Sequence, residues 1–135
     1  MRDVLDANVV FAAAGWRGEA HECLVMMVRR RITAFATQQI LEELRALVAE
    51  RGYKSKHSAH NLFSRYYSAV KVVEPAPLGK QRSRDAKDDP YLACALGARA
   101  KLIVTRDDDL LAMGKPFGIE IITPRELLTR LAKPI

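Results

Sequence analysis

Short apolar runs alternate along the chain with longer segments in which apolar residues recur at helical spacing. The short runs predict strands that are covered on both faces, and the spaced pattern predicts amphipathic helices. The predicted strands cover residues 4–5, 33–36, 70–73, 102–105 and 119–122. The predicted helices cover residues 19–30, 37–50, 55–69 and 89–99, with a helical turn at 107–113 and a last helix after residue 123. This alternation predicts an α/β fold with a central, mostly parallel five-stranded sheet and helices on both faces.

Residues that favour helix N-termini mark three of these helices. Thr37 is suited to cap the helix that follows it. Asp89 and Pro90 suit the cap and the first position of another helix. Thr123 and Glu126 form a capping box at the start of the last helix. The apolar segment around Asp6 is instead interpreted as a short buried strand, followed by a loop that contains residues 16–18.

Residues 74–87 carry two prolines, a glycine and a cluster of charged residues, which predicts a loop. This loop is not interpreted as a domain boundary, because neither half of the chain has enough strands to close a core. Residues 1–135 are therefore expected to form a single domain.

Composition and charge restrict the classes of function that the protein can have. Apolar residues make up 49% of the chain and charged residues 28%, which excludes a disordered or collagen-like chain. Two cysteines are too few for a disulfide scaffold and favour a reduced, cytoplasmic protein. The first apolar stretch is short and acidic, so neither a signal peptide nor a membrane span is expected. The net charge of +6 makes a polyanion a plausible partner.

Acidic residues cluster at the ends of predicted strands and at one helix start. Asp6 ends the first strand, Asp107 and Asp109 follow the fourth, and Asp88 and Asp89 open the helix between them. Ligands of α/β sheets bind outside the carboxyl ends of the strands. Converging carboxylates repel one another unless a cation holds them, and oxygen ligands select Mg²⁺ or Mn²⁺. The alternative is structural: a helix cap at Asp89 and a solvated turn at 107–109.

Four segments resemble, in order, the motifs of PIN-domain nucleases, and most closely the VapC-like putative toxins of toxin–antitoxin pairs. They are Val4–Val9 (VLDANV), Thr37–Leu44 (TQQILEEL), Lys87–Ala95 (KDDPYLACA) and Val104–Leu111 (VTRDDDLL). Ala7 departs from the family, which commonly has Thr there. The resemblance implies a PIN-like three-layer α/β/α fold and metal-dependent endonucleolytic cleavage of RNA.

The resemblance also implies an acidic quartet. Its members are Asp6, Glu43, Asp89 and Asp107. Glu43 is preferred to Glu42 because it directly precedes a leucine, as in the family motif. Asp89 is preferred to Asp88 because it directly precedes the apolar helix, and Asp109 is an alternative for the fourth position.

The nuclease hypothesis assigns a role to each candidate residue. The ligands of Mg²⁺ or Mn²⁺ are expected among Asp6, Asp89, Asp107 and Asp109. Glu43 binds a second ion or orients the attacking water, and Asn8 and Thr105 orient the acids through hydrogen bonds. The loop that leads into the acidic helix supplies candidate contacts to the RNA backbone, which are Arg82, Arg84 and Lys87.

Partners and competing functions follow from the same resemblance. It implies a cognate antitoxin that covers the acidic cleft with a basic side chain, and apolar first helices that also support a homodimer. A phosphatase of the haloacid dehalogenase type needs an acid where Asn8 stands, which counts strongly against it. An RNA-processing nuclease without an antitoxin and a non-catalytic RNA- or protein-binding module stay open. Trp16 is assigned either to a lid or to base stacking.

Overall fold

The computed structural model describes residues 1–15, 17–51 and 56–132, and for residues 56–60 the backbone alone. The predicted roles of Trp16 therefore lie outside the described residues. Within them, five strands are β1 (Arg2–Leu5), β2 (Thr33–Ala36), β3 (Lys71–Val72), β4 (Leu102–Val104) and β5 (Glu120–Ile122). All pair in parallel in the order β3-β2-β1-β4-β5. The predicted parallel five-stranded sheet is confirmed.

Helices cover the sheet in a three-layer α/β arrangement. The α-helices are α1 (Ala7–Gly15), α2 (Glu19–Val28), α3 (Gln38–Arg51), α4 (Lys56–Ala69), α5 (Asp89–Ala98), α6 (Asp108–Leu111) and α7 (Pro124–Ala132). Helix α5 packs against β1, β2 and β4, and α1 packs against α2, α3 and α4. Among the described residues, no helix has the length and apolar character that a bilayer span requires.

Helix α1 corrects the sequence analysis, which expected a strand and then a loop in this region. The chain turns directly from β1 into the helix at Asp6, whose carbonyl oxygen accepts hydrogen bonds from the N–H groups of Val9 and Val10 at 2.9 and 3.1 Å. Six of the nine residues of α1 are buried. A helix that is apolar on nearly all sides lacks the polar face on which the periodicity argument depends.

Two of the three predicted helix starts have the expected hydrogen bonds. The Thr37 hydroxyl accepts from the Ile40 N–H at 3.3 Å. The capping box of α7 closes in both directions, with Glu126 N–H donating to Thr123 Oγ1 at 3.2 Å and Thr123 N–H donating to Glu126 Oε1 at 3.5 Å. The third differs, because the residue that precedes α5 is Asp88 and its side chain makes no capping bond.

The register of β1 and β4 sets the position of the acidic residues. Leu5 pairs with Val104 at the last position of both strands. The Asp6 N–H then donates to the Val104 carbonyl at 3.0 Å. Asp6 and Thr105 consequently leave the sheet side by side at its carboxyl edge, where α/β proteins bind ligands.

Asp3, in the middle of β1, is a fully buried acid. Neither of its carboxylate oxygens has a hydrogen-bond partner among the described residues. Burial raises the pKa of Asp3 to about 7, against the lowering effect of the N-terminal amino group and Arg130. The folded protein therefore holds this group neutral at mildly acidic pH, because a buried unpaired charge is costly.

Asp3→Asn is expected to remove a pH dependence of stability. The folded pKa exceeds the unfolded one, so the wild-type carboxyl costs no stability below about pH 4 and a growing amount from about pH 4 to about pH 7. The full cost above that range is on the order of 4 kcal/mol. Urea unfolding across this range should show a decline in the free energy of unfolding that Asp3→Asn reduces and that Glu22→Gln, at an exposed site, retains. Equal slopes in all three proteins would contradict the assignment.

Candidate active site

Asp6 is held in place by both of its oxygens at the carboxyl edge of β1. Its Oδ2 accepts the Thr105 hydroxyl at 2.7 Å, and its Oδ1 accepts the Asn8 N–H at 3.0 Å. Asn8 thus contacts the acid through its backbone, while its exposed side chain borders the cleft. A cavity of about 260 Å³ lies over this pair and is lined by Asp6, Asn8, Val9, Arg106 and Asp107.

Thr105 connects Asp6 to the second acid of the cavity. Its Oγ1 accepts the Asp107 N–H at 2.9 Å while its hydroxyl donates to Asp6. Asp107 Oδ2 in turn accepts the Leu110 N–H at 3.1 Å and caps α6. Two carboxylates from neighbouring strands are therefore positioned by one hydroxyl group and the start of a short helix.

Asp88 is a third acid of this edge, and it interacts with both Asp107 and Asp6. Partial burial, a hydrogen bond shared with the Asp107 carboxyl and the charges of Asp107, Asp85 and Asp6 raise the pKa of Asp88 to about 7. Its Oδ2 is buried and has no hydrogen-bond partner within the described part of the chain. Asp88 therefore lacks compensation for the negative charge that surrounds it.

Asp89, which the sequence analysis preferred, is engaged elsewhere. Its carboxylate accepts the Arg82 N–H at 3.0 Å, the Ser83 N–H at 2.8 Å and the Ser83 hydroxyl at 2.5 Å. Although burial acts in the opposite direction, these hydrogen bonds hold the pKa of Asp89 below its ordinary value. The structure thus places Asp88, not Asp89, with Asp6 and Asp107, and Asp89 orders the preceding loop.

Glu43 approaches the acids from α3 and is half-buried, whereas Glu42 is exposed. Burial and the charge of Asp6 raise the pKa of Glu43, while the Tyr91 hydrogen bond and Lys87 oppose this change. Tyr91 donates its hydroxyl to Glu43 Oε2 at 2.6 Å and accepts the Ala7 N–H at 3.1 Å. No role was predicted for Tyr91 from the sequence. A tyrosine within an apolar helix face was the available signal, because a buried hydroxyl needs a partner.

Asp109 lies in a second acidic group, which shares Asp88 with the first. Carboxylate oxygens of Asp85, Asp88 and Asp109 lie within 4.8 Å of one another. Arg84 forms an ion pair with Asp109 at 3.0 Å. The structure therefore brings Asp107 to the side of Asp6, while Asp109 faces the basic loop.

The three basic residues of the loop have different surroundings. Arg82 donates through Nε and Nη2 to the Leu78 carbonyl at 3.2 and 3.1 Å. Arg84 is paired with Asp109, as described above. Lys87 is exposed and borders a cavity of about 350 Å³ that also contacts Glu43 and Gln39. All three are exposed.

Tyr91→Phe is expected to lower the free energy of unfolding by about 1–3 kcal/mol, because it leaves the buried Ala7 N–H without an acceptor. Glu43→Gln is the matched control, since an amide oxygen can still accept the Tyr91 hydroxyl. Urea unfolding of both variants measures the difference. A Tyr91→Phe variant as stable as the wild type would show that this hydrogen-bond chain does not stabilise the site.

Comparison with known proteins identifies the family. Residues 2–109 match the family model described as PIN domain. Six chains of solved structures match, among them the crystal structure of PAE2754 from Pyrobaculum aerophilum, with a TM-score of 0.64 and 25% identity, covering 98% of this chain and 90% of that one. The search of curated proteins gives no match. The chain belongs to the PIN domain family, whose members are generally metal-dependent nucleases.

Proposed function

We propose that this protein is a Mg²⁺- or Mn²⁺-dependent endoribonuclease and the toxin of a toxin–antitoxin pair. The observation that carries the proposal is the group of acids at the carboxyl edge of β1 and β4. Thr105 joins Asp6 to Asp107, Asp88 interacts with both, and Glu43 interacts with Asp6. Asp88 replaces Asp89 in this assignment because the Asp89 carboxylate is occupied by the loop.

The residues of the site fit a hard divalent cation. The donors are carboxylate oxygens, which select Mg²⁺ or Mn²⁺ over softer metals. The buried Asp88 oxygen has no partner among the described residues, and burial together with repulsion from neighbouring acids raises the pKa of its carboxyl. A cation held by Asp6, Asp88 and Asp107 would neutralise that repulsion.

When bound, such an ion supplies charge neutralisation on the phosphate and acidifies a coordinated water. The protein's part is to hold its acids in position. Thr105 and the Asn8 N–H fix both oxygens of Asp6, and the start of α6 fixes Asp107. Tyr91 holds Glu43 Oε2, so we assign Glu43 Oε1 to orient the attacking water. The products are a 5′-phosphate or 3′-phosphate end and a hydroxyl end, as in any phosphodiester hydrolysis.

RNA and antitoxin are the proposed partners. The net charge of +6 and the exposed Arg82, Arg84 and Lys87 favour a polyanion along the edge of the acidic site. The four ordered motifs that resemble VapC-like toxins support RNA as substrate, an antitoxin that covers the cleft, and a homodimer through the first helices. Cys23 and Cys94 are both buried free thiols, which suits the proposed location in the cytoplasm.

Mn²⁺ is expected to raise the melting temperature, because the ion binds only the assembled site. At about one hundred times its Kd it adds about 2.7 kcal/mol to the free energy of unfolding. Asp6→Asn and Asp88→Asn should lose most of this increment, and Asp89→Asn should keep it. Thermal unfolding with Mn²⁺ and with chelator distinguishes the two neighbours. Loss in Asp89→Asn and retention in Asp88→Asn would reverse the assignment.

RNA cleavage by the purified protein should require Mg²⁺ or Mn²⁺ and stop with chelator. Asp6→Asn should abolish cleavage yet retain RNA binding, because the basic loop and not the acid attracts the backbone. In cells, expression of the wild type should arrest growth and degrade RNA, and Asp6→Asn should do neither. Equal growth arrest by both proteins would refute the nuclease mechanism. Cleavage without growth arrest would favour an RNA-processing nuclease.

A further inference from the structure

Phe117 is an exposed aromatic residue. Neither burial in the core nor its backbone conformation favours an aromatic side chain at this position. Its relative solvent exposure is 52%. Its backbone lies in the left-handed region, with φ 56° and ψ 23°, within the turn Pro116–Gly118. This conformation is unfavourable for a bulky side chain and is relieved by glycine. Strain of this kind without a packing gain is typical of residues that contact a ligand.

Arg82 lies over the Phe117 ring and is itself held in place. The guanidinium carbon is 5.4 Å from the ring centroid. Two hydrogen bonds to the Leu78 carbonyl, at 3.2 and 3.1 Å, fix the guanidinium group there. The aromatic ring and the cation therefore form one ordered surface, and Phe117 stays exposed to solvent.

This surface is connected to the acidic site through the backbone of the same loop. The Arg82 N–H donates to Asp89 Oδ2 at 3.0 Å, directly beside Asp88 in sequence. Two residues further along the loop, Arg84 pairs with Asp109. The loop that carries Arg82 thus contacts both the ring and two acidic residues, Asp89 and Asp109, so a nucleic-acid strand that follows this loop would pass both.

We propose that Phe117 and Arg82 form a stacking platform for one unpaired base of a single-stranded RNA substrate. This inference rests on the proposed nuclease function and adds a base-binding pair of residues outside the acidic site. An open aromatic face binds any base by stacking, and a neighbouring arginine adds cation–π attraction. Bases in a duplex are already stacked, so the platform selects unpaired segments. The exposed Lys80 and Lys115 close to it favour nucleic acid over an apolar protein surface.

The test uses a short single-stranded RNA that carries one 2-aminopurine, whose fluorescence falls when the base stacks. Binding is measured with chelator present, so that no cleavage occurs. The wild type should quench the probe, and Phe117→Leu should lose the quenching and weaken binding about tenfold. Phe117→Trp should retain both. Val72→Thr, at an equally exposed residue of the edge strand β3, is the matched control and should behave as the wild type.

Two further measurements separate the outcomes. Phe117→Gly should lose the quenching while melting within about 2 °C of the wild type, because glycine relieves the left-handed backbone. The metal-induced rise in melting temperature should persist in Phe117→Leu, which shows that the acidic site is intact. Equal quenching by wild type and Phe117→Leu, or no quenching by either, overturns the platform. The proposed nuclease function fails separately, through absence of metal-dependent cleavage by the wild type.

Discussion

The hydroxyl group of Thr105 is the contact on which the acidic site depends. It donates to Asp6 and accepts from the Asp107 backbone, so it joins the ends of β1 and β4 in one hydrogen-bonded unit. Thr105 is fully buried, which keeps water from competing for these bonds. The parallel register of the two strands brings the group there, and α1 and α6 then begin on either side of it.

Repulsion between like charges is the constraint that the rest of the site has to accommodate. Hydrogen bonds offset it at Asp6, Asp107 and Asp89, where backbone N–H groups face the carboxylates. At Asp88 the buried Oδ2 has no partner among the described residues, and burial together with the neighbouring Asp107 raises the pKa of this carboxyl. The site is thus built to stabilise three acids locally and to leave one poorly satisfied, which is the arrangement that a cation would complete.

Local signals in the sequence were sufficient for most of the fold. The strands and the capping threonines Thr37 and Thr123 are encoded within a few residues, and the structure has them as expected. Helix α1 was not recognisable, since it is buried nearly all round and shows no polar face. Local sequence patterns could not decide between Asp88 and Asp89 either. The outcome depends on which of the two carboxylates accepts the N–H groups of Arg82 and Ser83. The partnership of Tyr91 with Glu43 joins α5 to α3 and required the tertiary structure.

The order of the strands has a consequence for synthesis of the chain on the ribosome. β1 lies at the centre of the sheet, and one of its two neighbours, β4, follows about a hundred residues later. The Asp6 carboxylate therefore cannot accept the Thr105 hydroxyl until most of the chain has been synthesised. Pairings between such distant segments form late, because closing a long loop costs conformational entropy before any contact between the segments offsets it. A nascent or prematurely terminated chain without β4 lacks Thr105 and Asp107, so Asp6 has no hydroxyl partner. Assembly of the acidic site is therefore tied to the docking of β4 beside β1.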